Sequence, residues 1–228
     1  MTELVTYRLD GGIATITLDD GKANVMSENM IGAIAGALDR AEADRAVVLL
    51  TGRSRMFSAG YDLATFSRSV DDIRRTLRAG GNLVHRLLGF PYPVVAACPG
   101  HAIAQGAFTL LAADVRFGVT GDFKLGLNEV AIGLTIPHYG VEVARHRLTA
   151  PGFDRAANTG ILVGPEEARE LGFLDVIAAD ADDLHARATA EAHRLTAIDF
   201  AAHTGTKLRV RAAALAAVRS GIDAEFGA

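Results

Sequence analysis

The sequence predicts an α/β fold in which strands dominate the first half of the chain and helices dominate the second. Three observations support this prediction. The first segment alternates in side-chain character around a glycine turn, and three short, largely apolar runs recur further along. From residue 141 onward, most apolar positions follow helical spacing.

A β-hairpin is the first predicted element. Residues 4–18 alternate around Asp10-Gly11-Gly12, a turn that supplies the positive φ angles of a tight hairpin. A helix is expected next, because the Ser27 hydroxyl can cap it and apolar residues repeat at helical spacing across 30–41. This helix should stop near Asp44.

Buried strands are predicted at 46–50, 94–97 and 115–119, since runs that are apolar on both faces suit strands between layers. A loop, 53–63, and a helix, 71–88, separate the first two. Further helices are predicted at 107–113, 141–148, 165–171, 183–196 and 207–218.

Composition narrows the functional classes. The chain has 228 residues, half of them apolar, which is enough for a sizeable core. We expect a core domain at 1–197 and a C-terminal helical extension at 198–228 within one functional unit. A net charge of −4 argues against nucleic-acid partners. The lone Cys98, the lack of a leader and the lack of a long apolar run predict a cytoplasmic protein without membrane association.

Several common catalytic signatures are absent from the sequence. It has no glycine-rich dinucleotide or triphosphate loop, no serine-hydrolase elbow and no zinc-protease motif. The seven histidines lack ligand spacing, so no metal is expected.

Two loops have the composition of an oxyanion hole. Residues 56–63 follow a buried strand, and their small side chains allow a ligand to approach the backbone. Residues 100–106 lead into a helix N-terminus, where amide N–H groups are free. One N–H from each loop could bind a single oxygen atom. An ordinary pair of tight turns is the alternative.

Glu129 is the candidate base. It lies among the aliphatic residues of 125–134, where burial would raise the pKa of its carboxyl group toward neutrality. A partly exposed or ion-paired glutamate is the alternative.

In this order and spacing, the segments resemble the crotonase (enoyl-CoA hydratase/isomerase) superfamily. Residues 21–24 are similar to its first CoA-side loop, 57–63 to its first oxyanion motif, and 99–114 to its glycine-rich loop and helix. The resemblance implies a spiral of ββα units with a C-terminal helical region, assembled as trimers or dimers of trimers. It also implies an acyl-CoA substrate, with coenzyme A as part of that substrate and no separate cofactor.

The resemblance also implies roles for individual residues. The backbone N–H groups of Tyr61 and Gln105 would bind the thioester oxygen, and Glu129 would be the base. His138 is either a second acid/base or a residue of the pocket wall or the surface, and Tyr139 and Phe66 are candidates for lining the acyl pocket. The residues expected to contact substrate are Lys22, Ala23, Ser58, Ala59, Gly60, Leu63, Phe108 and His138.

Two departures from the family pattern decide the predicted reaction. Phe108 stands where hydratases carry the first of two glutamates, and Gln105 stands where the family has a glycine. A phenyl ring cannot accept a proton, whereas some isomerases of the family use only the glutamate matching Glu129. The prediction is therefore a 3-enoyl-CoA to 2-enoyl-CoA isomerase. The alternatives are an enoyl-CoA hydratase and a non-catalytic acyl-CoA binding protein.

Overall fold

Within residues 3–227, which the computed structural model describes, ten strands form two sheets. The six-stranded sheet has the order β1 (Val5–Asp10), β2 (Ile13–Leu18), β3 (Val47–Gly52), β5 (Val94–Ala97), β7 (Val115–Val119), β10 (Val176–Ala178). The four-stranded sheet has the order β4 (Arg55–Ser58), β6 (Gly100–Ile103), β8 (Leu125–Gly126), β9 (Leu162–Val163).

Helices connect and cover these sheets. They are α1 (Glu28–Ala43), α2 (Val70–Leu88), α3 (Gln105–Leu111), α4 (His138–Arg147), α5 (Ala150–Thr159), α6 (Pro165–Leu171), α7 (Ala181–Leu195), α8 (Phe200–Val210) and α9 (Ala212–Phe226). Short 3-10 helices follow β4 at Leu63–Ser67 and β8 at Val130–Ile132. In this part of the chain, no helix has both the length and the apolar character needed to span a membrane.

The central strands come in pairs that are split between the two sheets. In each of the pairs β3–β4, β5–β6 and β7–β8, the first strand joins the larger sheet and the second joins the smaller one. In the larger sheet β3, β5 and β7 run parallel, and in the smaller sheet β4, β6 and β8 run parallel. Helical segments follow each pair, so the chain advances as a spiral of ββα units, which confirms the predicted fold class.

The positions predicted from local sequence patterns for β1, β2 and α1 agree with the structure. β1 and β2 pair antiparallel up to Asp10 and Ile13, and Gly11 and Gly12 have φ angles of +55° and +78° in the turn. The Ser27 hydroxyl accepts a hydrogen bond from the Met30 N–H at 3.2 Å and caps α1. The helix ends at Ala43, one residue before the predicted stop.

Other boundaries differ from the predictions for physical reasons. The predicted loop 53–63 contains β4, a strand of only four residues with an irregular register against β6. The helix predicted at 107–113 begins at Gln105. The helix predicted at 207–218 is two helices, since Arg211 interrupts the helical path between α8 and α9. Helix α5 was not predicted, because its sequence has few apolar residues at helical spacing.

A buried ion cluster ties the C-terminal helices to the sheet. The Asp114 carboxylate lies 2.7 Å from the Lys207 ammonium and 2.8 Å from the Arg211 guanidinium. It also accepts a hydrogen bond from the Val94 N–H at 2.7 Å. Both cations are buried, with 6% of each residue exposed. One carboxylate therefore compensates two desolvated positive charges from the predicted extension, and α9 packs against α2 and α4.

Asp114→Asn is expected to destabilise the fold by about 3–5 kcal/mol, because it leaves two buried cations without a counter-charge. The measurement is urea unfolding at neutral pH. The matched control is Asp39→Asn, which breaks an ion pair to Arg86 in which Asp39 is largely exposed. The control should change stability by about 1 kcal/mol or less. Equal effects of the two substitutions would contradict this account.

Candidate active site

Both predicted loops and the predicted base border one cavity of about 260 Å³. Ala59 and Tyr61 come from the first loop, Ala104 from the second, and Glu129 from the segment after β8. Glu225 of α9 also lines it. The rest of the wall is mainly apolar and includes Leu63, Phe66, Leu77, Ile132 and Leu134. The fold thus gathers the candidate residues in a largely apolar pocket.

Close packing brings the two loops together. Gly60 has a φ angle of +91°, and a Cβ atom built on it would lie 2.9 Å from the Ile103 carbonyl oxygen and 3.5 Å from the Gln105 nitrogen. Ala104 has a φ angle of +51°, which an L residue rarely adopts, and helix α3 starts immediately after it. The backbone of the first loop therefore lies directly against the start of α3.

The two N–H groups at this junction are free. Across residues 3–227, the backbone N–H groups of Tyr61 and Gln105 donate to no backbone oxygen. Gln105 is the first residue of α3, so the helix cannot satisfy its N–H. Two N–H groups without a backbone acceptor therefore lie on touching loops, and both loops border the cavity, as an oxyanion site would need.

Glu129 is a desolvated carboxyl group. Only 6% of the residue is exposed, and its Oε2 atom is buried without a hydrogen-bond partner in the described structure. Burial raises the pKa of this carboxyl to about 7. Its backbone is fixed, because its carbonyl oxygen accepts from the Leu134 N–H at 2.9 Å. The side chain is therefore a proton acceptor poised near neutral pH.

Some predicted substrate residues also organise the loop. The Ser58 hydroxyl donates to the Asn24 carbonyl oxygen at 2.7 Å and accepts from the Gly60 N–H at 3.1 Å. The Ala59 N–H donates to the Ala23 carbonyl oxygen at 2.9 Å. The buried Asn24 amide donates to three carbonyl oxygens around the loop. The 21–24 segment thus supports the loop that carries Tyr61.

The cavity wall includes only part of the predicted set. Ala59, Tyr61, Leu63 and Glu129 line it, as does the acyl-pocket candidate Phe66. Those outside the wall are Lys22, Ala23, Ser58, Gly60, Gln105, Phe108, His138 and Tyr139.

Two of these placements bear on the chemistry. Phe108 is fully buried outside the cavity wall, and its ring packs edge-on against Tyr139 with the centroids 5.9 Å apart. His138 is exposed at the start of α4, where its backbone N–H donates to the Glu225 carboxylate at 2.8 Å. Glu225 itself was not predicted, because nothing local distinguishes it from other glutamates on exposed helix faces.

Comparison with known proteins fits this geometry. Residues 8–226 match the family described as enoyl-CoA hydratase/isomerase. The chain belongs to the enoyl-CoA hydratase/isomerase family. It is accordingly an enzyme of this type, and the predicted crotonase relationship is confirmed.

Solved structures of the family are similar over nearly the whole chain. A hydratase/isomerase family protein from Pseudomonas syringae is 43% identical, with a TM-score of 0.95 over 98% of this chain and 96% of that one. An enoyl-CoA isomerase from Mycobacterium tuberculosis is 40% identical, with a TM-score of 0.93 over 98% and 97%. An enoyl-CoA hydratase from Mycobacterium marinum is 41% identical, with a TM-score of 0.93 over 98% and 100%. Proteins with both names are equally similar, so the reaction must be argued from the site.

Burial of Glu129 makes the stability of this family member depend on pH. The folded carboxyl keeps its proton up to a pH of about 7, whereas the unfolded one loses it near its ordinary pKa of 4.5. Between these values the native state binds more protons, so wild-type stability falls as the pH rises. The Glu129→Gln variant cannot titrate and should gain about 2–3 kcal/mol relative to wild type between about pH 5 and pH 8. Urea unfolding at both pH values measures this gain.

The control for this comparison is Glu170→Gln, at an exposed position on α6. Its stability difference from wild type should stay constant over the same pH range. If Glu129→Gln also shows a constant difference, the carboxyl is not desolvated in the folded enzyme.

Proposed function

We propose that the protein is an enoyl-CoA isomerase that moves the double bond of a 3-enoyl-CoA to the 2-position. One observation carries this proposal. The buried carboxyl of Glu129, whose Oε2 atom has no hydrogen-bond partner, shares a largely apolar cavity with the loops that carry the free N–H groups of Tyr61 and Gln105.

The reaction needs one base and one place for negative charge. The Glu129 carboxylate removes a proton from C2 of the 3-enoyl thioester, and the electrons move toward the thioester oxygen to form a dienolate. The two backbone N–H groups bind that oxygen. The protonated Glu129 then returns the proton to C4, which places the double bond between C2 and C3. Protons and electrons balance without another reactant, and coenzyme A enters only as part of the substrate.

The surroundings favour proton transfer over addition of water. Apolar side chains form most of the cavity wall, so water has few partners there. Excluding water also protects a reactive dienolate. Each oxyanion donor contributes about 2.7–4 kcal/mol to lowering such a barrier. The exclusion of water therefore supports isomerisation, whereas the oxyanion donors would stabilise the enolate of either reaction.

Hydration is the second candidate, and Glu225 is the observation that favours it. It is the other carboxylate among the described residues of the cavity wall. Activation of water in this family uses two glutamates, and Phe108 removes one of them. Glu225 comes from α9, whereas Phe108 is on α3, and its carboxylate accepts a hydrogen bond from the backbone N–H of His138. We therefore propose hydration as a minor activity, and a non-catalytic acyl-CoA binder as the outcome if no proton moves.

We further propose that the protein works in the cytoplasm as a homotrimer or a dimer of trimers. Supporting the assembly, Val130 and Ile132 directly follow the base and leave 46% and 48% of their surfaces exposed, which a neighbouring copy could cover. Sedimentation equilibrium tests this part, and a monomer would contradict it.

Isotope exchange tests the proposed base. Wild-type enzyme incubated with a 3-enoyl-CoA in deuterated water should place deuterium at C4, and through the reverse reaction at C2, over repeated turnovers. The label enters when the proton held on Glu129 exchanges with solvent, and mass spectrometry and NMR detect it. The rate should fall as the pH drops below about 7, because only the ionised carboxyl accepts a proton. Glu129→Gln should lower exchange by about 10²–10⁴-fold while retaining thioester binding. Full exchange in this variant would refute the proposal.

Glu225→Gln separates the two reactions. Isomerisation should change by less than about threefold, because Glu225 does not transfer the proton in the proposed steps. Hydration of a 2-enoyl-CoA should already be about 10²-fold slower than isomerisation in wild type, and slower again in the variant. If hydration is the faster reaction and Glu225→Gln abolishes it, the protein is a hydratase that uses Glu129 and Glu225.

A further inference from the structure

We propose that Tyr139 is a positioning residue that holds the N–H groups of Tyr61 and Gln105 in register through the side chains of those same two residues. This inference rests on the proposed role of the two N–H groups as oxyanion donors. Tyr139 itself contacts no reacting atom. It acts from α4, behind the cavity wall.

The contacts form a continuous hydrogen-bonded chain. The Tyr61 and Tyr139 hydroxyl oxygens are 2.6 Å apart, and the Tyr139 hydroxyl lies 2.8 Å from the Gln105 side-chain oxygen. The Gln105 side-chain nitrogen donates to the Gly80 carbonyl oxygen at 3.1 Å. Each residue that supplies a predicted oxyanion N–H is therefore linked through its side chain to the same phenol.

Counting protons gives this chain one direction. The Gly80 carbonyl can only accept, so the Gln105 amide must turn its NH₂ group toward Gly80 and its oxygen toward Tyr139. The single hydroxyl proton of Tyr139 is then donated to Gln105. Tyr61 must therefore donate to Tyr139. Loss of the Tyr139 hydroxyl therefore leaves the Gln105 side-chain oxygen without its donor. It leaves the Tyr61 hydroxyl with only its longer contact, 3.4 Å to the Leu77 carbonyl oxygen.

Helix α2 leaves room for these side chains. A Cβ atom built on Gly80 would collide with the Tyr61 hydroxyl and would come within 3.1 Å of the Gln105 side-chain carbon. A Cβ atom on Gly81 would come within 3.0 Å of the Tyr139 ring. On the other side, the Phe108 ring packs against Tyr139. Both departures from the family pattern thus have a structural use here, since Gln105 supplies the amide and Phe108 supports the phenol.

The hydrogen-bonded chain of side chains is also protected from water. Tyr139 and Gln105 are fully buried. Burial raises the pKa of both phenols, so each keeps the proton that the chain requires. Buried hydrogen bonds of this kind are costly to leave unpaired, which favours a single loop geometry over several.

Tyr139→Phe tests the inference by removing only the hydroxyl. The kcat for isomerisation should fall about tenfold or more, less than the 10²–10³-fold loss expected when a donor is removed entirely. KM should change by less than about threefold, because positioning acts on the charge that develops in the transition state. The matched control is Tyr7→Phe on β1, which removes a hydroxyl that donates a hydrogen bond to the Asp44 carboxylate. The control should leave kcat unchanged.

A spectroscopic readout separates positioning from a loss of stability. The probe is butanoyl-CoA carrying ¹³C at the thioester carbonyl, which binds without reacting. In wild type, donation by two N–H groups should lower the carbonyl stretching frequency measured by difference infrared spectroscopy. Tyr139→Phe should lose about half of this shift or more, whereas Tyr7→Phe should keep it. A merely less stable protein would leave the shift of its folded fraction unchanged.

Gly80→Ala, on α2, places a methyl group against the Tyr61 hydroxyl and should also reduce the shift of the carbonyl stretching frequency. This variant replaces Tyr139→Phe in the test if Tyr139→Phe does not fold. Retention of the full shift and of kcat in a folded variant overturns the role of Tyr139. A wild-type shift without turnover overturns the proposed function, while the variants still decide the positioning role. No shift and no turnover in wild type overturn both.

Discussion

The site depends on keeping the Glu129 carboxyl out of water and leaving its Oε2 atom without a hydrogen-bond partner. Desolvation of Glu129 makes its ionised form expensive, and an ion pair or a set of hydrogen bonds would remove that cost together with its basicity. The surrounding segment supplies aliphatic side chains and a fixed backbone turn but no donor to Oε2 among the described residues. Basicity is thus obtained at the expense of stability, as is common at functional sites.

The ββα spiral explains how the opposite face of the site is formed. β4 and β6 are neighbours in the smaller sheet and run parallel, so the loops that follow them leave at the same edge. A glycine at position 60 lets the loops touch, and the turn at Ala104 starts a helix at once. The proposed donors belong to the main chain, so the proposed chemistry tolerates glutamine at position 105. The Gln105 side chain remains available for the hydrogen bond to Tyr139 behind the cavity.

Sequence patterns predicted what is encoded locally. Gly11 and Gly12 specify the hairpin turn, and Ser27 specifies the start of α1. The aliphatic residues on either side of Glu129 predict that its side chain is buried. Contacts distant in sequence gave no such signal. Glu225 reaches the cavity because α9 folds back onto α4. The Phe108 ring packs against Tyr139, outside the cavity wall, because of how α3 and α4 pack. The two-residue strands β8 and β9 are too short for any periodicity to reveal.

The central claim is most directly tested by titrating Glu129 in the folded enzyme. Difference infrared spectroscopy of wild type against Glu129→Gln isolates the carboxyl band of this one residue across the pH range. The infrared band of the protonated Glu129 carboxyl should disappear with a midpoint at a pH of about 7. A midpoint near the ordinary glutamate value of 4.5 would show a solvated carboxylate and would contradict the mechanism built on it.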